Sequence, residues 1–269
     1  MNARASTART APAGGSARSP RLAIRAHGAL RPLKTSESVA RDIVHDIVEA
    51  GLKEGERLPG EAAMLEQYSV SRESLREGLR LLEVQGLIAL RRGPGGGPIV
   101  GSVDPANLGR VSSLYYHLAG ATYGELFDAW VVAESTLAEL AAKNPDRDRV
   151  RAAMAPYVNV PTDSHDVSVD EFVATHGQFH VELASLIRNK VLQLSLMVMG
   201  SIITHHIVIN ADPRKAQREI EHDHAEVARA VSAGHVNKAR DVMARHIHTV
   251  TDFYRGQIGA QMNDYIEWR

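Results

Sequence analysis

Between Tyr68 and Val84 the chain reads YSVSRESLREGLRLLEV, and this stretch leaves few folds open. Leu75, Leu79 and Leu82 fall at i, i+4 and i+7, which makes one apolar stripe on a helix. Arg72 and Arg76 are four residues apart and share a different, exposed face. Ser71 stands where its hydroxyl can accept a hydrogen bond from a free N–H of the first turn. A shorter helix, Glu61–Tyr68, precedes it across a tight turn at Ser69-Val70, and Gln85-Gly86 stops it. This is the pattern of a helix-turn-helix. The leucines hold the second helix to its domain while the arginines are free to meet phosphates or guanine edges in a major groove. An ordinary amphipathic helix with a solvated basic face has the same local pattern, so the surroundings decide.

Those surroundings favour the nucleic-acid reading. Val39, Ile43, Ile47 and Ala50 recur every three or four residues, predicting a first helix that begins at Thr35-Ser36 and ends at Gly51. The loop Lys53–Pro59 leads into the second helix. After the recognition helix, Leu87–Leu90 and Pro98–Val100 read as two short strands joined by the Gly-rich turn RRGPGGG, Arg91–Gly97. Such a turn is a wing: it offers two arginines and lets backbone come close, which suits a minor groove. A phosphate-cradling loop does not fit, because no Lys-Ser/Thr follows and no helix opens directly after it.

Charge divides the chain. Residues 1–100 hold fifteen Lys/Arg against eleven Asp/Glu, whereas the remainder holds sixteen against twenty-one, so only the front is basic. Residues 1–34 contain no acid and are rich in Arg, Ala, Ser and Pro, which predicts a disordered basic arm able to touch phosphates. The absence of cysteine excludes disulfides and thiolate metal sites. The longest apolar run, Leu192–Ile209, is interrupted by Ser195, Ser201, Thr204, His205 and His206, so it reads as a buried helix rather than a membrane span, and a cytoplasmic protein is expected. Residues 35–101 form the expected winged helix-turn-helix, and 102–108 a linker broken by Pro105. Residues 109–258 form an all-α bundle, and 259–269 a tail. The expected bundle helices are Leu108–Leu118, Tyr123–Lys143, Asp146–Tyr157, Val169–Ile187, Lys190–Ile209, Pro213–Ala233 and Val236–Ile258, with a polar loop across 158–168. The fold class is thus mostly α, with a small β wing in front.

Four of the thirteen histidines fall on apolar helix stripes. His176 and His180 share the stripe of Phe172, Phe179, Leu183 and Ile187, at a spacing that can give two ligands to one metal. His224 lies in line with Ile220, Val227 and Val231, and His246 with Ala239, Val242, Met243, Val250 and Phe253. His222 and His248 point elsewhere. Buried imidazoles without partners are costly, and four on converging stripes suit a divalent metal, zinc or nickel before copper or iron.

The run ERLPGEAAMLEQYSVSRESLREGLRLLEVQGLIALRRGPGGGPIV resembles the winged helix of GntR-type bacterial repressors. That resemblance implies operator contacts from Ser71, Arg72, Ser74 and Arg76, and from Arg92 and Gly93 at the wing tip. Ala62 stands where the family usually has a further DNA-contacting arginine, a role that Arg57 or Arg91 could take over. The runs ELFDAWVVAESTLAELAA, HGQFHVELASLIRN and HDHAEVARAVSAGHVNKARDVMARHI are similar to the FCD effector domain of the FadR-type branch. Members with a metal hold it with one Asp and three His beside a carboxylate effector. The three His match His180, His224 and His246, and the Asp position is His176 here. Trp130 replaces an arginine that helps hold the effector carboxylate, four residues before Glu134. With Met197 and other apolar residues near, the resemblance implies either a small carboxylate or a longer, lipid-like effector at Trp130, Glu134 and Met197. The chain as a whole, including LAIRAHGALRPLKTSE, is also similar to mycobacterial regulators of mce-type lipid-import operons, which implies repression of such an operon and release by a fatty acid or acyl derivative.

The expectation is therefore a homodimeric repressor of double-stranded operator DNA, not an enzyme and not a membrane protein. The competing readings are a metal-sensing repressor and a metalloenzyme built on the histidines.

Overall fold

The computed structural model describes residues 31–93, 95–158, 168–206, 212, 214 and 217–268. Most of the expected basic arm, and residues 159–167 of the expected loop, lie outside these. Three helices open the front domain: α1 (Thr35–Glu49), α2 (Glu61–Tyr68) and α3 (Arg72–Val84). Strands β1 (Ile88–Arg91) and β2 (Gly97–Val100) follow as an antiparallel pair, with Ile88 opposite Val100 and Arg91 opposite Gly97. The expected leucine stripe is the core here: Leu75, Leu79 and Leu82 pack against Val39 and Ile43 of α1, Met64 of α2, and Ile88. Gly78 lets α1 and α3 approach, since a Cβ there would stand 2.4 Å from Val39 Cγ1 and 2.9 Å from the Ser36 carbonyl oxygen.

The turn between α2 and α3 is set locally. Ser69 takes a left-handed conformation (φ 52°), and Ser71 caps α3 by accepting from the Ser74 N–H at 3.1 Å. Ser71→Ala is expected to destabilise the front domain by about 0.5–2 kcal/mol. Chemical denaturation of the two proteins checks this; superimposable curves would deny the cap its role.

Pro105 does not break a helix, as the sequence suggested; it starts one. Helix α4 (Pro105–Ala119) has Pro105 in its first turn, where the missing N–H costs nothing, and Asp104 caps it by accepting from the Ala106 N–H at 2.9 Å. The expected linker thus shrinks to the few residues before Asp104. Helix α4 also grips the end of the recognition helix. Arg110 Nη2 donates to the Val84 carbonyl at 2.7 Å, and Asn107 lies so close to Gly86 that a Cβ there would be 2.2 Å from its Nδ2.

The back domain is a helical bundle around α5 (Tyr123–Ala142). Its length is anchored by a capping box in which Thr122 and Glu125 bond each other's backbone N–H. Leu126, Phe127, Trp130, Leu137, Ala138 and Ala141 bury several sides of the helix, which fits a central position. Around it stand α7 (Val169–Ser185), α8 (Lys190–His206), α9 (Gln217–Ala233) and α10 (Val236–Ile258), with α6 (Arg147–Val158) on α9. Arg147 Nη2 closes the end of α9 by donating to the carbonyls of Val231 and Ser232 at 2.7 and 2.9 Å.

Residues after α10 are not a loose tail. Gly259–Asn263 forms a 3₁₀ turn, the Ile266 N–H donates to the Ala121 carbonyl at 2.9 Å, and the Ile266 side chain is buried against the bundle. One well-buried isoleucine and a backbone bond to the start of α5 outweigh the polar character of the segment. Among the described residues no helix is long and apolar enough to cross a membrane.

Candidate functional site

Two sites emerge. The first is a basic face on the front domain. Arg72 and Arg76 are both exposed on α3, opposite its leucines. Ser71 and Ser74 sit at the helix entrance, where their hydroxyls bond each other at 3.1 Å. At the wing, Arg91 ends β1, Arg92 and Gly93 are exposed, and Gly93 takes φ 95° so that its carbonyl can accept from the Gly96 N–H at 2.9 Å. Arg57 is drawn under the same turn: its segment bridges to Ile99, and both terminal guanidinium nitrogens lie 3.7 Å from where a Gly95 Cβ would be. Ala62 is exposed at the start of α2 and carries no charge. The residues expected to meet DNA thus lie on the recognition helix, at its Ser71 cap or in the wing, except Arg57, which reaches the wing from the loop before α2.

The second site lies inside the bundle. Helices α7, α9 and α10 bring His180, His224 and His246 together, with one nitrogen from each within 4.8 Å of the others. His224 Nε2 and His246 Nε2 are 3.1 Å apart, close to the roughly 3.3 Å between two nitrogens on one tetrahedral ion with metal–nitrogen bonds of about 2.0–2.1 Å. His180 turns its Nδ1 to Glu134 Oε2 at 2.7 Å, which leaves Nε2 for the cluster. The Asp223 carboxylate stands 3.5 Å from His246 Nδ1, too far for a well-formed hydrogen bond but close enough to orient that ring. Burial holds the His224 imidazole well below its ordinary range, reinforced by the three neighbouring histidines, and burial also lowers His246 despite the opposing pull of Asp223. Both rings are thus kept neutral, the form that binds metal.

His176, expected as a fourth ligand, stands outside this set. Its Nδ1 lies 2.7 Å from the Phe172 carbonyl one turn back, its ring stacks on Phe172, and its Nε2 is 3.9 Å from Glu221. The sequence stripe placed it on the right face, but no nitrogen of its ring lies within 4.8 Å of all three clustered ones. Asp223 was missed because it neighbours His224 in sequence and lies off the apolar stripe. Three nitrogens with carboxylates behind two of them fit a zinc-like ion.

Beside the cluster, α5, α7, α8 and the start of α4 enclose a cavity of about 480 Å³. Trp130, Glu134 and Met197, all expected at the effector, line it, together with Leu137, Val181 and Gly200. Asp104 and Pro105 form its wall on the α4 side. Trp130 Nε1 donates to Glu134 Oε1 at 3.2 Å, so Glu134 accepts from both Trp130 and His180. Burial pushes the Glu134 carboxyl up, and His180 together with these hydrogen bonds more than reverses this, leaving it below the usual carboxylate range.

Comparison with known proteins places both halves. Residues 35–96 match the bacterial regulatory proteins of the gntR family, and residues 125–249 match the FCD domain. The chain is 27% identical to the Glc operon transcriptional activator of Escherichia coli K12 over 203 residues, which cover 71% of this chain and 77% of that one. It is 32% identical to the Uxu operon transcriptional regulator of the same organism over 126 residues, 46% of each chain. It is 28% identical to the HTH-type transcriptional regulator RmpR of Mycobacterium gastri over 158 residues, 58% of this chain and 56% of that one. A solved GntR structure from Streptococcus agalactiae shares the fold, with a TM-score of 0.56 at 22% identity, covering 81% of this chain and 99% of that one. The matched domains and relatives are regulators of transcription rather than enzymes. A winged helix-turn-helix matching one family description, followed by a helical domain matching the other, makes the chain a member of the GntR family of bacterial transcriptional regulators with a C-terminal FCD domain.

Proposed function

We propose that the protein is a cytoplasmic, homodimeric repressor whose operator affinity is set by a lipid-like or carboxylate effector in the α5–α7–α8 cavity, beside a histidine-bound divalent metal. The observation that carries this reading is the pairing of an exposed Arg72–Arg76 face and an arginine wing with a cavity whose wall, Asp104–Pro105, begins the helix that holds α3. Only an effector that binds the two states of that junction unequally can switch DNA affinity. Self-association is supported by Leu108, Val111, Tyr115 and Leu118, which are 42 to 68% exposed along one face of α4. Such a stripe suits a two-fold contact with a second copy, and two-fold symmetry in turn suits a near-palindromic operator.

His180, His224 and His246 would hold zinc or nickel, which when bound supplies a fixed positive charge and a Lewis acid in the bundle. Asp223→Asn is expected to weaken metal affinity by about 10–100-fold, because the carboxylate behind His246 orients the ring. Competition against a chelating dye measures this, and unchanged affinity would remove Asp223 from the site. The resemblance to regulators of mce-type lipid import supports an operon of that kind as the target, and the likeness to a mycobacterial regulator agrees with that setting. The deciding experiment is fluorescence anisotropy on the DNA upstream of the protein's own gene, with and without a long-chain acyl lipid. Tight, salt-sensitive binding that falls on adding the lipid is expected. Binding no stronger than to random DNA would overturn the regulator of this site, and binding indifferent to lipid would overturn the effector.

A further inference from the structure

The closing residues cross the junction between α4 and α5 as a short extended segment. Thr122 and Tyr265 form an antiparallel bridge there, the Tyr123 N–H donates to the Asp264 carbonyl at 3.2 Å, and the Ile266 N–H donates to the Ala121 carbonyl. The junction turns on the left-handed Gly120 (φ 77°), between the end of α4 and the Thr122 cap of α5. Two side chains make the bridge a clasp. From α4, His117 Nδ1 lies 2.8 Å from the Ile266 carbonyl oxygen, a contact that an Nδ1–H satisfies. From α5, the Tyr123 hydroxyl accepts from the Glu267 N–H at 3.3 Å and lies 3.2 Å from Nδ1 of His206, which is buried at the end of α8. The hold of this clasp is finely balanced. Asp264 and Glu267 are exposed, and Ile266 alone is buried, so one apolar side chain must offset the ordering of the whole segment. Hydrogen bonds that replace bonds to water add only a little to it. Elements that open in a switch come from such weakly held parts of a fold.

We propose that residues 264–267 are a releasable strap that ties α4 and α8 to α5, and that its release loosens the recognition helix. This rests on the regulator reading above and adds the element that couples its two sites. Gly109 of α4 lies so close to α8 that a Cβ there would be 2.6 Å from Ser201 Oγ, so the two helices move as one unit. The cavity lies between this unit and α5, with Trp130 and Leu137 on one side and Gly200, Thr204 and His205 on the other. The residue after His205 is the His206 that meets Tyr123, so a ligand in the cavity acts on the contact that the strap closes. On its far side the unit holds α3, through Arg110 on the Val84 carbonyl and Asn107 over Gly86. Seated, the strap fixes α4 against α5. Released, it lets α4 turn about Gly120 and carry the last turn of α3 with it. A ligand shifts this balance only by binding the two states unequally.

The test compares the full-length protein with Ile266→Asp, which puts a charge in the buried seat, and with Ile266→Val, which keeps the seat filled. Amide hydrogen exchange reads the strap at Ile266 and the recognition helix at Gln85 and Gly86, whose N–H groups close the end of α3. In Ile266→Asp both sets should exchange faster. Affinity for the DNA upstream of the protein's own gene should fall at least about fivefold, the lower end of ordinary coupling between sites, while the melting of the winged helix stays unchanged. Ile266→Val should restore the exchange and the affinity. Tyr123→Phe removes only the hydroxyl between Glu267 and His206, and serves if the aspartate variant does not fold; it should shift every reading in the same direction. A freely exchanging Ile266 amide beside an unaltered end of α3 would overturn the strap, as would exchange at Ile266 that ignores both Ile266→Asp and Tyr123→Phe. Failure of the unaltered protein to bind the upstream DNA defeats the regulator reading instead, and the exchange at Gln85 and Gly86 still decides the strap.

Discussion

Phe179→Ala is expected to destabilise the back domain by about 3–5 kcal/mol, the cost of removing a large side chain from a packed core that collapses only partly. Phe179 is fully buried on α7. Its ring stacks on His224 with centroids 4.0 Å apart, and meets Tyr157 edge-on at 5.0 Å. Its loss therefore opens a hole beside one of the three clustered imidazoles. Calorimetry should show the melting temperature of the back domain falling by about 10 °C, taking roughly 2–4 °C per kcal/mol for a domain of this size. Metal uptake should weaken with it, because His224 loses the surface that fixes its plane. A change under about 1 kcal/mol would mean that the ring is not the keystone its burial implies.

Arg72→Ala is expected to weaken operator binding by about 1–3 kcal/mol, the range of a good arginine contact to a base edge. The residue is exposed in the first turn of α3 and packs nothing in the core, so the variant should keep its melting temperature. The two possible roles separate by salt and sequence. If Arg72 reads a base, affinity drops most for the operator and the preference over random DNA shrinks. If it meets a phosphate, affinity falls alike on both DNAs and the salt dependence becomes shallower by about one counterion. An anisotropy titration with unchanged operator affinity would remove Arg72 from the interface.

The front domain was legible almost residue by residue because its signals are local. A serine before an amphipathic run, leucines at helical spacing and a glycine-rich turn between short apolar runs each dictate geometry within a few residues, and Ser71, Leu75 and the wing appear as expected. What escaped depends on packing. Pro105 carries opposite meanings inside a helix and in its first turn, and only Asp104 folding back on Ala106 decides between them. His176 shares the stripe of His180, yet its ring nitrogens stop short of the three-histidine cluster. The closing segment is polar on paper, and the one burial that anchors Ile266 comes from across the fold. The three histidines that do converge were readable because apolar periodicity gives the inward face of a helix, even when it cannot give the direction in which a ring nitrogen points.

The grip of α4 on the recognition helix also redraws the modular unit of this protein. By sequence the natural scission is after the wing, at Gly101. Cut there, the DNA-reading half would leave behind Arg110, which holds the last turn of α3 through the Val84 carbonyl, and Asn107, which fills the hollow over Gly86. The portable cassette is therefore residues 31–119, a reader with its own handle, and grafts onto foreign sensor domains belong after Ala119, where α4 ends at the left-handed Gly120.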